Sequence, residues 1–403
     1  MQVESPNFSI FPKTSALLDA VRSVAALAVV ANHFRNLFSL DYQDAGPSNV
    51  FVRAIYFMTG LGHSAVMVFF VLSGLLVSQG IFKQLHRKRW TWMSYLIQRF
   101  SRLLIVLWPA LLLTFLLDWV GMSLFGTSGI YGGNPSAGNI ISSPVLDRTT
   151  IAIYGANAFF LQGVLTPTAG SNGPLWSLSN EGFYYLLFPL LVCLLGPQQP
   201  ARRLVSGALL IGLVVGLLPL AMTLYFGIWL MGSAVAWGWS YLPRASTALV
   251  GPRLVSAMLL AAALCLARGL SAGFAAQLVP AETVAPILDG LIGITTAVFL
   301  FYMMRGTGSD ESPQVSMALE GAKRLSRFSY SLYLTHLPML VFLQAWLIGN
   351  GSRWQPSVGN LLVGIFIGAL VIACAYLFSL MTEEHTEWLR KRITSLTSSS
   401  SVA

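Results

Sequence analysis

The sequence predicts an all-α integral membrane protein of ten transmembrane helices, with N- and C-termini cytoplasmic and one interfacial or re-entrant outer segment. Three observations lead there. The chain has 403 residues, 55% of them hydrophobic and only 10% charged, against about 25% charged in a soluble domain. Its 24 Lys and Arg and 15 Asp and Glu cannot clothe a soluble fold of this size. Apolar runs of about 20 residues, the length that crosses a bilayer, recur along the chain. The basic residues, finally, cluster between particular runs, and cytoplasmic loops collect Lys and Arg. The same composition excludes a disordered chain and a secreted disulfide scaffold.

The candidate spans are 17–38, 56–82, 103–125, 174–195, 204–222, 223–242, 254–270, 285–304, 328–348 and 358–381. One further stretch, 150–166, is ambiguous by hydropathy alone. With ten spans and a cytoplasmic N-terminus, 19 of the 24 Lys and Arg fall inside and 5 outside. An eleventh span at 150–166 would invert everything after it and leave 10 inside against 14 outside. Ten spans satisfy the rule, and 150–166 becomes the interfacial or re-entrant piece. The net charge of +9 is then mostly orientation and carries no nucleic-acid signal.

The chain divides into a cytoplasmic N-terminal segment 1–16, a transmembrane domain 17–381 and a cytoplasmic tail 382–403. The Ser-rich end of the tail, from Ser395, is expected to be disordered. Met1–Ser15 lacks a compact basic region and a small-residue cleavage site, so the first helix is expected to stay as an uncleaved anchor. Cys193, Cys265 and Cys374 each sit in an apolar run without metal-ligand spacing. They read as buried packing residues, and no metal is expected.

Ionisable groups inside spans are costly and usually functional. The first span carries Arg22 and His33. Eleven residues at 100° per residue bring the two to within about 20° of one face, about 16 Å apart along the axis. The plainer alternative is a snorkelling Arg and a His bonded to a neighbouring helix. The second span contains Ser73-Gly74 in its inner half, small residues that admit another backbone or a ligand. At the start of the third span Arg99 and Arg102 share a helix face, a pair suited either to phosphate recognition or to anchoring at anionic lipid. The fourth span begins GPLWSLSNEGFYYLLFPLL and places Glu181 at membrane depth among Asn172, Ser177, Ser179 and Asn180. Such a carboxylate needs a proton or a cation. The ninth span reads RFSYSLYLTHLPML, with His336 near Tyr330, Tyr333 and Thr335, and Pro338 loosening the local ladder. His63, His86 and His385 lie at edges, in a loop or beyond the last span, and receive no chemical role.

Five segments in this order, LDAVRSVAALAVVANHF, VFFVLSGLL, RFSRLLIVLWPA, GPLWSLSNEGFYYLLFPLL and SYSLYLTHLP, resemble the membrane-bound acyltransferase family three. That family acylates sugars and other envelope molecules in bacteria. The resemblance runs from about Leu17 to Pro338, and the family's ten-helix fold agrees with the span count. It implies catalytic roles for His33, Glu181 and His336, and donor binding by Arg22, Ser73, Gly74, Arg99 and Arg102. Many members carry two adjacent carboxylates after Trp-Ser-Leu, whereas here Glu181 is followed by Gly182. Some members carry a C-terminal esterase-like domain, which is not expected in this chain.

The resemblance further implies an acyl-CoA donor, most often acetyl-CoA, on the cytoplasmic side of the bacterial inner membrane. The acceptor is expected to be a hydroxyl of a glycan or glycolipid on the outer side. His33 would act either as general base on the acceptor or as a covalent acyl carrier. Glu181 would orient His33 or deprotonate the acceptor, and His336 would be a second base or a structural partner. The competing reading is a proton-coupled transporter that uses the same intramembrane Arg, His and Glu groups.

Overall fold

The computed structural model describes residues 8, 12–45, 49–134, 140–197, 199–242, 250–272, 281–305 and 317–399. Most of the expected N-terminal segment, parts of the loops 126–149 and 305–327, and tail residues 400–403 lie outside the described residues. Among the described residues there is no strand. The helices are α1 (Pro12–Phe38), α2 (Val50–Met58), α3 (Gly62–His86), α4 (Trp92–Phe125), α5 (Ile151–Ala158), α6 (Leu175–Leu195) and α7 (Pro200–Gly216). They continue as α8 (Leu220–Tyr241), α9 (Val250–Ala272), α10 (Ala281–Arg305), α11 (Met317–Arg327), α12 (Ser329–Leu347), α13 (Val358–Met381) and α14 (Thr386–Ser399).

Eight helical stretches among the described residues are long and apolar enough to cross a membrane, α2 and α3 counting as one stretch. The other two predicted intervals are occupied by α7 and α12. With 17 residues, α7 reaches only about 26 Å. Helix α12 has 19 residues but buries Ser331, Thr335, His336 and Gln344, which lowers its hydropathy. In the ambiguous interval, α5 has eight residues and spans about 12 Å, too short for an eleventh crossing.

Two expectations need correction. The described part of the tail is helical through Ser399, where disorder was expected from Ser395, and α14 packs on α4. Cys193 is buried as expected, but Cys265 is exposed on α9.

The chain forms two compact units. The first comprises Met1–Val29, Gly60–Trp90 and Thr223–Arg327. In it α10 packs on α9 and α3. Helix α3 crosses α8 at a pair of glycines: a Cβ on Gly74 would lie 1.9 Å from the Trp229 carbonyl oxygen, and one on Gly232 would lie 1.9 Å from that of Val71. Only glycine at both positions lets the backbones approach so closely.

The second unit comprises Val30–Thr59, Thr91–Met222 and Phe328–Ala403. Here α12 packs on α4 and α13, and α6 packs on α7. The C-terminal end of α1 is anchored by the buried Arg353, which donates to the carbonyls of Asn36 and Ser39 and pairs with Asp41 at 2.8 Å. A cation at the last carbonyls of a helix satisfies groups that have no intrahelical donor. Next to His33, Phe34 lies against Gly364 of α13, where a Cβ would come within 2.7 Å of its ring.

The loop 159–174 after α5 is non-helical, and its stretch 169–172 is buried, a state tolerated at membrane depth only inside protein. Its backbone groups and those around it are met by fully buried side chains. Asn157 donates to Pro167 O and accepts from Ala169 N, Gln162 donates to Leu175 O, and Ser179 donates to Phe160 O.

Candidate active site

The second unit holds all three predicted catalytic residues, His33, Glu181 and His336, along a polar seam. On α6, Ser177, Glu181 and Tyr185 repeat every four residues and so share one face. Tyr185 donates its hydroxyl hydrogen to Glu181 Oε1 at 2.5 Å. Ser177 Oγ meets the Tyr333 hydroxyl of α12 at 2.7 Å. Tyr333 is three residues before His336, and the two ring centres are 6.0 Å apart. The start of α12 is held from two sides: Tyr330 donates to Leu103 O of α4, and Ser331 donates through both N–H and Oγ to Glu383.

His33 of α1 and His336 of α12 meet directly. His33 Nδ1 and His336 Nε2 are 2.7 Å apart, with ring centres 5.0 Å apart and planes within 12°. The proton positions follow from the chain of partners. His336 Nδ1 lies 3.0 Å from the Leu332 carbonyl, which can only accept, so Nδ1 carries hydrogen. In the neutral ring His336 Nε2 is then an acceptor, and the proton between the rings belongs to His33 Nδ1. That leaves His33 Nε2 with a free lone pair. His336 is fully buried, whereas His33 is only partly so. The arrangement can therefore supply a base or nucleophile at one defined nitrogen, with the second imidazole fixing its tautomer.

The arginine pair sits on α4, which starts at Trp92 instead of near residue 103 and places both guanidiniums within the helix. Arg99 lies 5.9 Å from the ring centres of both Tyr95 and Tyr185, an arrangement suited to cation–π attraction. Arg102, one turn on, is exposed.

The remaining predicted residues lie in the first unit. Arg22 donates to Ser326 Oγ at 3.2 Å and lies 3.5 Å from Asp19, while Ser326 in turn donates to Asp19. Ser73 Oγ accepts from Trp229 Nε1 at 3.2 Å. Gly74 faces the α8 backbone at the helix crossing, with no room for a ligand on that side.

Several groups escaped the sequence reading. Asp118 of α4 is fully buried and accepts from Ser171 N and Oγ at 2.8 and 2.6 Å. In the first unit His63 Nε2 bonds the buried Asp289 at 2.9 Å, with the Tyr225 hydroxyl also on Asp289. A lone Asp in FLLDWVG and in PILDGLIG was the available signal, under the rule already applied to Glu181. Among the described residues no three His, Cys, Asp or Glu are grouped closely enough to hold a metal ion.

A helical chain with eight described stretches long and apolar enough to cross a membrane, and with a hydrogen-bonded imidazole pair in its second unit, defines an integral membrane protein. A family model described as an acyltransferase domain matches residues 16–380. The chain belongs to this acyltransferase 3 family. It is also similar to an acyltransferase, MdmB, of Streptomyces mycarofaciens, with 29% identity over 187 residues. That match covers 46% of this chain and 41% of the relative, so it spans less than half of either protein. No solved structure matches the chain.

Proposed function

We propose that the protein transfers an acyl group, most simply acetyl, from cytoplasmic acyl-CoA to a hydroxyl of a glycan or other envelope molecule at the bacterial inner membrane. In this reading ten helices cross the bilayer, α7 and α12 included, and both termini face the cytoplasm. The supporting observation is the hydrogen bond between His33 and His336, which leaves the lone pair on His33 Nε2.

His33 Nε2 takes the proton of the acceptor hydroxyl as its oxygen attacks the thioester carbonyl. The C–S bond breaks, CoA departs as thiolate, and the imidazolium returns the proton to sulfur. His336 keeps Nδ1 of His33 protonated throughout and so acts as a positioning residue. Glu181, held by Tyr185, is the second group proposed to contact the acceptor. Donor phosphates are assigned first to Arg99 and Arg102, which sit on the α4 turns beyond its most apolar part. Arg22 and Ser73 have protein partners that a donor would have to share, and Gly74 is assigned to helix packing.

The test is His33→Ala in purified, membrane-reconstituted protein, with acetyl-CoA and envelope glycan extracts. Transfer should vanish while the protein stays folded. Normal acylation by this variant would refute the assignment, and solute movement without release of CoA thiol would favour transport.

A further inference from the structure

We propose that Asn172 is a positioning residue for the imidazole pair, acting on the one backbone carbonyl that Pro338 leaves open in α12. Its activity readout rests on the acyl-transfer reading above. In an α-helix the N–H of residue i bonds the carbonyl of residue i−4. Pro338 has no N–H, so the Leu334 carbonyl loses its intrahelical donor. Leu334 is fully buried, and an unmet carbonyl there would be costly.

Asn172, from the buried loop before α6, supplies the missing donor. Its Nδ2 lies 2.9 Å from Leu334 O and 3.0 Å from Thr114 Oγ1, so both amide hydrogens are used. Asn172 is itself fully buried, and its neighbour Ser171 is gripped by Asp118 through two hydrogen bonds. Thr114 and Asp118 are one turn apart on α4. The bracket therefore runs from two successive turns of α4, through Ser171 and Asn172, to Leu334. Leu334 sits midway between Leu332, whose carbonyl holds His336 Nδ1, and His336 itself. A proline alone would let this segment bend. The bracket converts the break into a fixed geometry, which the bond from His33 to His336 requires.

The experiment is a double-mutant cycle on the full-length protein in lipid nanodiscs. Asn172→Ala, Pro338→Ala and the double variant are compared for kcat, for KM of acetyl-CoA and for thermal midpoint. Pro338→Ala returns an N–H to the helix, so the helix can satisfy Leu334 itself. Asn172→Ala alone should lower kcat roughly 10- to 100-fold per folded molecule, the scale of a small misplacement of catalytic groups, with KM little changed. Added to Pro338→Ala, the same substitution should cost at most a few-fold. Equal losses in both backgrounds would overturn the proposal. So would a lowered midpoint with unchanged kcat, because Asn172 would then be structural only. If Pro338→Ala does not fold, Asn172→Asp decides: it keeps the shape but turns an oxygen toward the carbonyl, and wild-type kcat would refute the bracket. A His33→Gln control separates the two readings. Should it transfer normally, the acyl-transfer role falls, while the thermal cycle between Asn172 and Pro338 still tests the bracket.

Discussion

Replacing His336 by Ala removes the acceptor that holds the proton of His33 Nδ1 in place, and the consequence can be scaled. The bond is short, 2.7 Å, and His336 is fully buried. A neutral hydrogen bond contributes about 0.5–1.5 kcal/mol net, and stranding a buried partner costs about 1–3 kcal/mol. Without its partner, His33 can move its proton to Nε2, which places hydrogen on the nitrogen that must carry the lone pair. If about 1–3 kcal/mol of this appears in the transition state, kcat falls roughly 5- to 150-fold. The assay is CoA thiol release with reconstituted protein, normalised to monodisperse folded protein, with acyl donor saturating. His336→Gln, whose side-chain oxygen can accept from Nδ1–H, should recover part of the loss. His33→Ala should be worse than either. A His336→Ala protein with kcat within twofold of wild type would refute the tautomer argument, because among the described residues His336 is the partner that holds that proton.

Gly74→Ala should destabilise the protein by at least about 1–3 kcal/mol, the usual cost of overpacking, since the new methyl would meet backbone rather than a movable side chain. Thermal unfolding in detergent reads this, and an unchanged midpoint would contradict the crossing geometry. Tyr185→Phe keeps the ring beside Arg99 but removes the hydrogen bond to Glu181. Bonds to charged groups are worth about 1.5–3 kcal/mol, so transfer should fall about tenfold or more if Glu181 must be held still, with KM for the donor spared. A loss confined to donor KM would move Tyr185 to the donor side of the site.

Much of the architecture is legible in the sequence because a bilayer demands long apolar runs, and the intervals for α1, α6, α8 and α13 are close to the helices found. The start of α4 is not, since hydropathy registers the part that meets lipid and misses the charged turns from Trp92 to Arg102. The helix in the tail is not legible either, since the contact of α14 with α4 joins segments far apart in the sequence. Within the site, His33 and His336 stand out singly as intramembrane imidazoles. Their pairing does not, because 303 residues separate them and no local pattern encodes the contact. Ser73-Gly74 looks the same in sequence whether it receives a ligand or a helix, and only Gly232 across the crossing distinguishes the two. Asp118 and Asp289 were detectable by the rule that flagged Glu181, and only their buried partners show what they hold.

The imidazole pair also explains how an orienting group can sit at membrane depth without a charge of its own. A carboxylate behind His33 would fix the same tautomer and would stabilise the imidazolium more strongly. It would also place a permanent charge in a low-dielectric interior, where an ionised group must be paired or pay a large desolvation penalty. His336 performs the orientation through a backbone carbonyl and stays neutral at rest. In the proposed mechanism the imidazole pair becomes charged only while His33 holds the transferred proton. In that mechanism the weaker stabilisation of the proton would favour its quick return to the departing sulfur, so the same residue would act as base and then as acid within one turnover. Such a pair works only if the ring positions are held by the scaffold rather than by a strong ionic bond. That is consistent with α1 being capped by Arg353, and with α12 being tied at Tyr330, Ser331 and Leu334 in the turns that lead up to His336.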